Sequence, residues 1–249
     1  MRTTCTILSI GCVAALTASA FAQEPRGNVI PLKEAKLNIE HNYTVEDTGF
    51  QGAVDSEGWK ELKFKGPNGV VLHLNATGKL RKLGVTELFF ETVEPENADV
   101  PINTLLAKMP AGIYNIFGPA GGPDAGKITK GKAWLTHVIP KDPTLQAPSE
   151  GSVMPVADTL FDWDAVTQTI NDQPVAIIAY QLIVERVQPP HPHMVGKIGS
   201  LSMYLDPGVT QMTVPASFFQ PDTDYDWEVL AVEPSGNQTL SSAKFKTAP

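Results

Sequence analysis

Beyond its first two dozen residues, the chain places apolar side chains at every second position in short runs, and turn residues end each run before a helical period can develop. Such a pattern lays side chains alternately on the two faces of a strand, so it constrains the fold more than any other feature of the sequence. The 21 prolines and 20 glycines of the 249 residues follow no period, which suits many short strands joined by turns rather than collagen or low complexity. With 42% hydrophobic and 18% charged residues, the chain has the means to bury real cores. The fold class expected is therefore all-β. A formal charge of −8 argues against a general partner among nucleic acids or anionic membranes, because neither rewards an acidic surface.

Arg2, the apolar and small-residue run Thr6 to Ala18, and Ala20-Phe21-Ala22 ahead of Gln23 have the form of a signal peptide cleaved after Ala22. A secreted or periplasmic location is expected on that basis. A lipoprotein leader ending at Cys12 fits less well, since Ser9-Ile10-Gly11 lacks the customary Leu three places earlier. Both cysteines, Cys5 and Cys12, fall in the leader, so residues 23–249 carry no disulfide, thiolate or cysteine metal ligand. No segment after the leader is apolar enough to predict a membrane span.

Two halves are expected around a connector, 143–149, overlapping the proline-rich stretch Ile139 to Pro148. In residues 23–142 the alternation predicts strands at Leu37 to Asn42, Phe50 to Val54, Trp59 to Phe64, Val70 to Leu74, Thr86 to Glu91, Ile113 to Phe117 and Lys132 to Val138. One short helix is expected between Pro101 and Pro110, with Leu105 and Leu106 turned inward. In residues 150–249 strands are predicted at Thr159 to Trp163, Val175 to Val187, Leu201 to Leu205, Val209 to Val214, Tyr225 to Val232 and Thr239 to Lys246. Each half then reads as a β-sandwich.

The run Gln220-Pro221-Asp222-Thr223-Asp224-Tyr225-Asp226-Trp227-Glu228-Val229-Leu230-Ala231-Val232, followed by Ser235-Gly236-Asn237, resembles the penultimate strand and loop of fibronectin type III domains. Trp163 falls where that family has its core tryptophan, and Phe245-Lys246-Thr247 where it has its closing strand. The resemblance implies that Tyr225 is a tyrosine corner, its hydroxyl returning to the backbone. The long stretch Gln188 to Gly199 departs from the compact family pattern. In the first half, Met109-Pro110-Ala111-Gly112-Ile113-Tyr114 resembles the turn into a late strand of bacterial immunoglobulin-like modules. The chain as a whole is similar to uncharacterised secreted bacterial proteins with an N-terminal β module before a fibronectin type III domain, a likeness that implies no catalytic residue.

Several constellations admit a functional reading. Gly121 to Lys127 has the spacing of a phosphate-binding loop, but Ile128 stands where a magnesium-binding hydroxyl belongs, so a hairpin loop is expected. Asp47, Asp55 and Glu57 lie in acidic turns either side of one predicted strand, where converging loops would suit calcium; solvated turn acids are the plainer alternative. His191 and His193, near Met194 in a proline-flanked loop, have the donors for a transition metal, with His137 or His73 as distant partners. Trp59 and Trp134 are the candidates for stacking on a sugar face, Trp163 and Trp227 being expected in the core. Asn42, Asn75 and Asn237 head glycosylation sequons, and the loop Glu233 to Thr239 is placed to touch a protein.

No nucleophile elbow, zinc-protease motif or dinucleotide fingerprint is present in the sequence. The function expected is therefore a non-catalytic binding or spacer protein with a protein or surface polymer as partner. A metal-binding accessory role and a carbohydrate-binding or carbohydrate-active role stand as alternatives.

Overall fold

A computed structural model describes residues 28–249 of the chain. The leader reading and its cleavage site lie outside the described residues. The first half runs through β1 (Val29–Pro31), β2 (Glu34–Asn42), β3 (Asp47–Trp59), β4 (Glu61–Gly66), β5 (Gly69–Asn75), α1 (Gly78–Leu83), β6 (Val85–Glu91), α2 (Ile102–Leu106), β7 (Gly112–Pro119) and β8 (Ile128–Leu135). The second half holds β9 (Leu145–Ala147), β10 (Ser152–Met154), β11 (Thr159–Trp163), β12 (Ala179–Arg186), β13 (Ser200–Leu205), β14 (Gln211–Val214), β15 (Asp224–Val232) and β16 (Gln238–Thr247). The architecture is all-β.

In the first half, the sheet β1-β8-β7-β4-β5 packs on β2-β3-β6. Alternation sends Leu37 and Ile39 of β2, Phe50 and Val54 of β3, Leu62 and Phe64 of β4, and Tyr114 and Ile116 of β7 into one buried core. Phe90 packs its edge on Phe64 with ring centroids 5.6 Å apart, and its ring crosses the space a side chain at Gly52 would fill, within 2.4 Å of where a Cβ would stand. A glycine opposite an aromatic is thus a packing requirement here. The expected helix forms as α2 with Leu105 and Leu106 buried. The helix α1 buries none of its residues, so no apolar periodicity announced it.

The second half is a sandwich of β14-β11-β9 against β13-β12-β15-β16. Trp163, Trp227, Tyr180, Tyr225, Phe161 and Phe245 fill its core, with Phe161 edge-on to Trp227 at 5.1 Å and Tyr225 stacked on Phe245 at 5.3 Å. The Tyr225 hydroxyl accepts the backbone N–H of Gln220 at 2.8 Å, closing the corner five residues upstream. The strand expected from Val175 begins only at Ala179. Residues 167–175 fold into a turn of their own, with Thr169 N–H donating to the Gln173 carbonyl and Val175 N–H to that of Thr167.

The two halves share a sheet. Strand β16 pairs in parallel with β2 through Gln238↔Glu40, Thr239↔His41 and Leu240↔Asn42, so β13-β12-β15-β16-β2-β3-β6 is one continuous order. The other end of β16 is covered on the same side by β10. The proline-rich connector is held at both ends. Leu145–Ala147 is itself a strand against β11, and Lys141 N–H and the Ile139 carbonyl bond to Gln168 and Ile170. Ile170, from the second half, packs on the core of the first.

The loop Glu233 to Asn237 completes the junction. Asn237 is fully buried, accepts Ile39 N–H at 2.8 Å and donates to the Val138 carbonyl at 2.8 Å and the Thr136 hydroxyl at 2.9 Å. Thr239 donates to the Pro140 carbonyl at 2.6 Å. Asn237 and Thr239 of the loop expected to face an outside protein are spent on the neighbouring module, while Pro234 to Gly236 stay at the surface; the Asn237 sequon is inaccessible because its side chain is buried.

Candidate functional site

The residues singled out from sequence do not converge. Asp47 and Asp55 belong to one uninterrupted strand, β3, eight residues and therefore about 26 Å apart. The acidic turns expected to embrace calcium are thus opposite ends of a strand, and Glu57 is paired with Lys33 at 3.0 Å. His191 and His193 lie in the exposed segment between β12 and β13, where His191 Nδ1 accepts the backbone N–H of His193 at 3.2 Å. Neither proposed partner joins them: His73 contacts Glu61 at 3.0 Å and His137 the Met109 carbonyl at 2.8 Å, both in the first module. Trp59, offered as a stacking residue, is only 5% exposed. It ends β3 where the chain crosses between sheets, so its polar sequence neighbours concealed a core position.

Trp134 differs. It is 64% exposed and lines a groove of about 590 Å³ where the two modules meet. The floor is the outer face of β2 and β3, including Asn38 and Gln51, and the far wall is Val232, the loop Pro234 to Gly236, Ile178 and Tyr204 of the second module. Phe89, 65% exposed, and Tyr204, 67% exposed, complete a set of three aromatic side chains in the groove. Each sits in the polar register of an alternating strand: Trp134 with Lys130 and Lys132, Phe89 with Glu87 and Glu91, Tyr204 with Ser200 and Ser202. That register is a signal the sequence contains. It marks an aromatic that folding leaves outside the core.

The polar floor is ordered by its own bonds. Asn38 Nδ2 donates to Gln51 Oε1 at 3.4 Å, Gln51 Nε2 to Glu91 Oε1 at 3.0 Å, and Gln238 Nε2 to both Glu40 and Gln51. This amide chain crosses the β16–β2 seam and ends at an acidic group. Glu40, Glu91 and Glu94 bring carboxylate oxygens within 4.8 Å of one another, the group among the described residues compact enough to share an ion. None of the metal ligands expected from sequence belongs to it.

Glu94 lies flat over Gly49 with its Oε1 buried and without a hydrogen-bond partner among the described residues. Burial, and then the charges of Glu91, Glu40 and Asp47, push its carboxyl up to about 7. Burial likewise raises Glu40, against the donated bonds of Gln238 and Gln51, and raises Glu228, with Glu185 and Glu40 adding to it. The outer face of the shared sheet is therefore a field of crowded carboxylates beside the groove. His41 is held low by its burial, on the inner side of the same strand pair.

No helix among the described residues is long and apolar enough to cross a membrane. No family model matches the chain, and no curated protein sequence matches it. Among solved structures, the FN1–FN3 domains of chicken CNTN1 are similar over 89% of this chain and 65% of that one, at 12% identity and a TM-score of 0.32. The chain thus spans less than two thirds of that neighbour. The fn3 domain of the human collagen alpha-1(XX) chain is similar over 46% of this chain and 87% of its own, at 10% identity and a TM-score of 0.30. The fibronectin type III-like character of the second module rests on its own two sheets, β14-β11-β9 and β13-β12-β15-β16, and on the Tyr225 corner.

Proposed function

We propose that this is a non-catalytic binding protein that works outside the cytoplasm and presents the inter-module groove to a polymer of the cell surface. One observation carries the reading: three exposed aromatics, drawn from strands of both modules, meet in a single groove whose two walls are fastened together. Apolar rings left in water are costly unless a ligand covers them, and a groove fixed before binding loses little entropy when filled. The leader motif, Arg2 through Ala22, supports the location.

Co-sedimentation with insoluble cell-envelope material tests this. Wild type is expected in the pellet, Trp134→Ala and Tyr204→Ala in the supernatant, and no soluble product is expected in the supernatant. Equal sedimentation of the variants would place binding elsewhere, and product release would make the protein an enzyme.

A further inference from the structure

We propose that the groove takes a neutral, hydroxyl-rich polysaccharide chain, with Trp134, Phe89 and Tyr204 as stacking faces and the Asn38, Gln51 and Gln238 amides as partners of its hydroxyls. The inference rests on the reading of the groove as the ligand surface and adds the chemistry of what fills it.

Three properties of the lining select the ligand class. The exposed rings ask for flat apolar patches, which pyranose rings provide on the faces bearing axial C–H bonds. The polar lining between them is mostly amide and hydroxyl: Asn38, Gln51, Gln238 and Ser235. Amides donate and accept at once and so match hydroxyl groups, which do the same. The charged pair in the lining, Glu34 and Lys36, is closed on itself at 2.5 Å and offers little net field.

Charge then narrows the class. Glu40, Glu91, Glu94 and Glu228 stand beside the amide chain on the same outer face of the sheet. An anionic polymer entering the groove would approach these carboxylates and be repelled, whereas a neutral one would not. Order matters as well. The amides are already bonded in sequence across the seam, and the walls are tied by β16–β2 pairing and Asn237, so donors and rings are placed before the ligand arrives.

Of the four tryptophans only Trp134 is exposed, the others being 5% exposed or less, so collisional quenching of emission by acrylamide reports on the groove. The full chain should be titrated with neutral hexasaccharides of glucose, xylose, mannose and N-acetylglucosamine, and with polygalacturonate as the anionic probe. At least one neutral hexasaccharide is expected to shield Trp134 saturably, with polygalacturonate inactive. By calorimetry, Trp134→Ala and Tyr204→Ala should each weaken binding about tenfold or more, and Trp134→Phe by less.

Both alanine variants alter exposed side chains, and an unchanged circular dichroism melt will separate lost binding from lost fold. Polygalacturonate shielding Trp134 as well as the neutral sugars do would overturn the ligand class. So would groove-dependent envelope binding that no neutral hexasaccharide competes and that protease treatment of the envelope abolishes, which would assign the groove to a peptide while leaving it as the binding surface. If the variants also sediment like wild type, the groove reading falls with it.

Discussion

Asn237 carries more of the junction than any other side chain. Its amide accepts the buried N–H of Ile39 in β2 and donates to three acceptors after β8, the Thr136 carbonyl and hydroxyl and the Val138 carbonyl, all partly buried. Asn237→Ala would leave the buried Ile39 N–H unpaired and take a donor from the partly buried Thr136 and Val138 acceptors, and a loss of about 2 kcal/mol in the free energy of urea unfolding is expected. The effect should exceed that of Tyr225→Phe, which strands only the Gln220 N–H and should cost about 1 kcal/mol. Glu94 gives a different kind of test. Its carboxyl titrates at about 7 in the folded protein against 4.5 for an unperturbed glutamate, so the unfolded chain releases this proton first as pH rises. The stability associated with Glu94 is therefore full below about pH 4.5 and is lost as pH climbs through about 7. Melting temperatures taken across that window should fall less in Glu94→Gln than in wild type; identical profiles would show that Glu94 is not the group responsible.

At the scale of the strand, a single residue step decides whether an aromatic holds the fold or faces the solvent. Phe89 and Phe90 are neighbours on β6, the first 65% exposed and the second packed on Phe64 and Gly52. Chemical denaturation should find Phe89→Ser within about 0.5 kcal/mol of wild type and Phe90→Ala destabilised by about 3 kcal/mol. A similar cost for both would mean that the register of β6 is wrong. Period-two alternation made such strands legible in the sequence, and most of the expected strands appear close to where it put them. It also contained the groove's aromatics, in the polar registers of Lys130, Lys132 and Trp134 and of Ser200, Ser202 and Tyr204. What it did not contain was the seam. Parallel pairing of β16 with β2 joins residues 198 positions apart and leaves no local mark, since either edge alone reads as an ordinary strand. Asn237 accordingly read as a sequon, and Trp59, between Gly58 and Lys60, as a surface residue.

For the molecule as a whole, the seam makes two cores into one mechanical object. Ile170 packs on the first core from the second half, the connector is bonded along its length, and the shared sheet runs through both. Calorimetry should therefore show one transition whose van't Hoff and calorimetric enthalpies agree, and Asn237→Ala should begin to split it; two resolved transitions in wild type would show that the modules fold independently. The same seam sets an order of events in time. Strand β2 leaves the ribosome 198 residues ahead of its partner β16, so the first module keeps an unpaired edge until that stretch has been made. Closing that edge means forming a loop of 198 residues, and contacts of such separation are slow to find. Refolding should thus proceed through a species with both cores formed and the seam open, a state ready to pair with the wrong edge, so that recovery from denaturant falls as protein concentration rises.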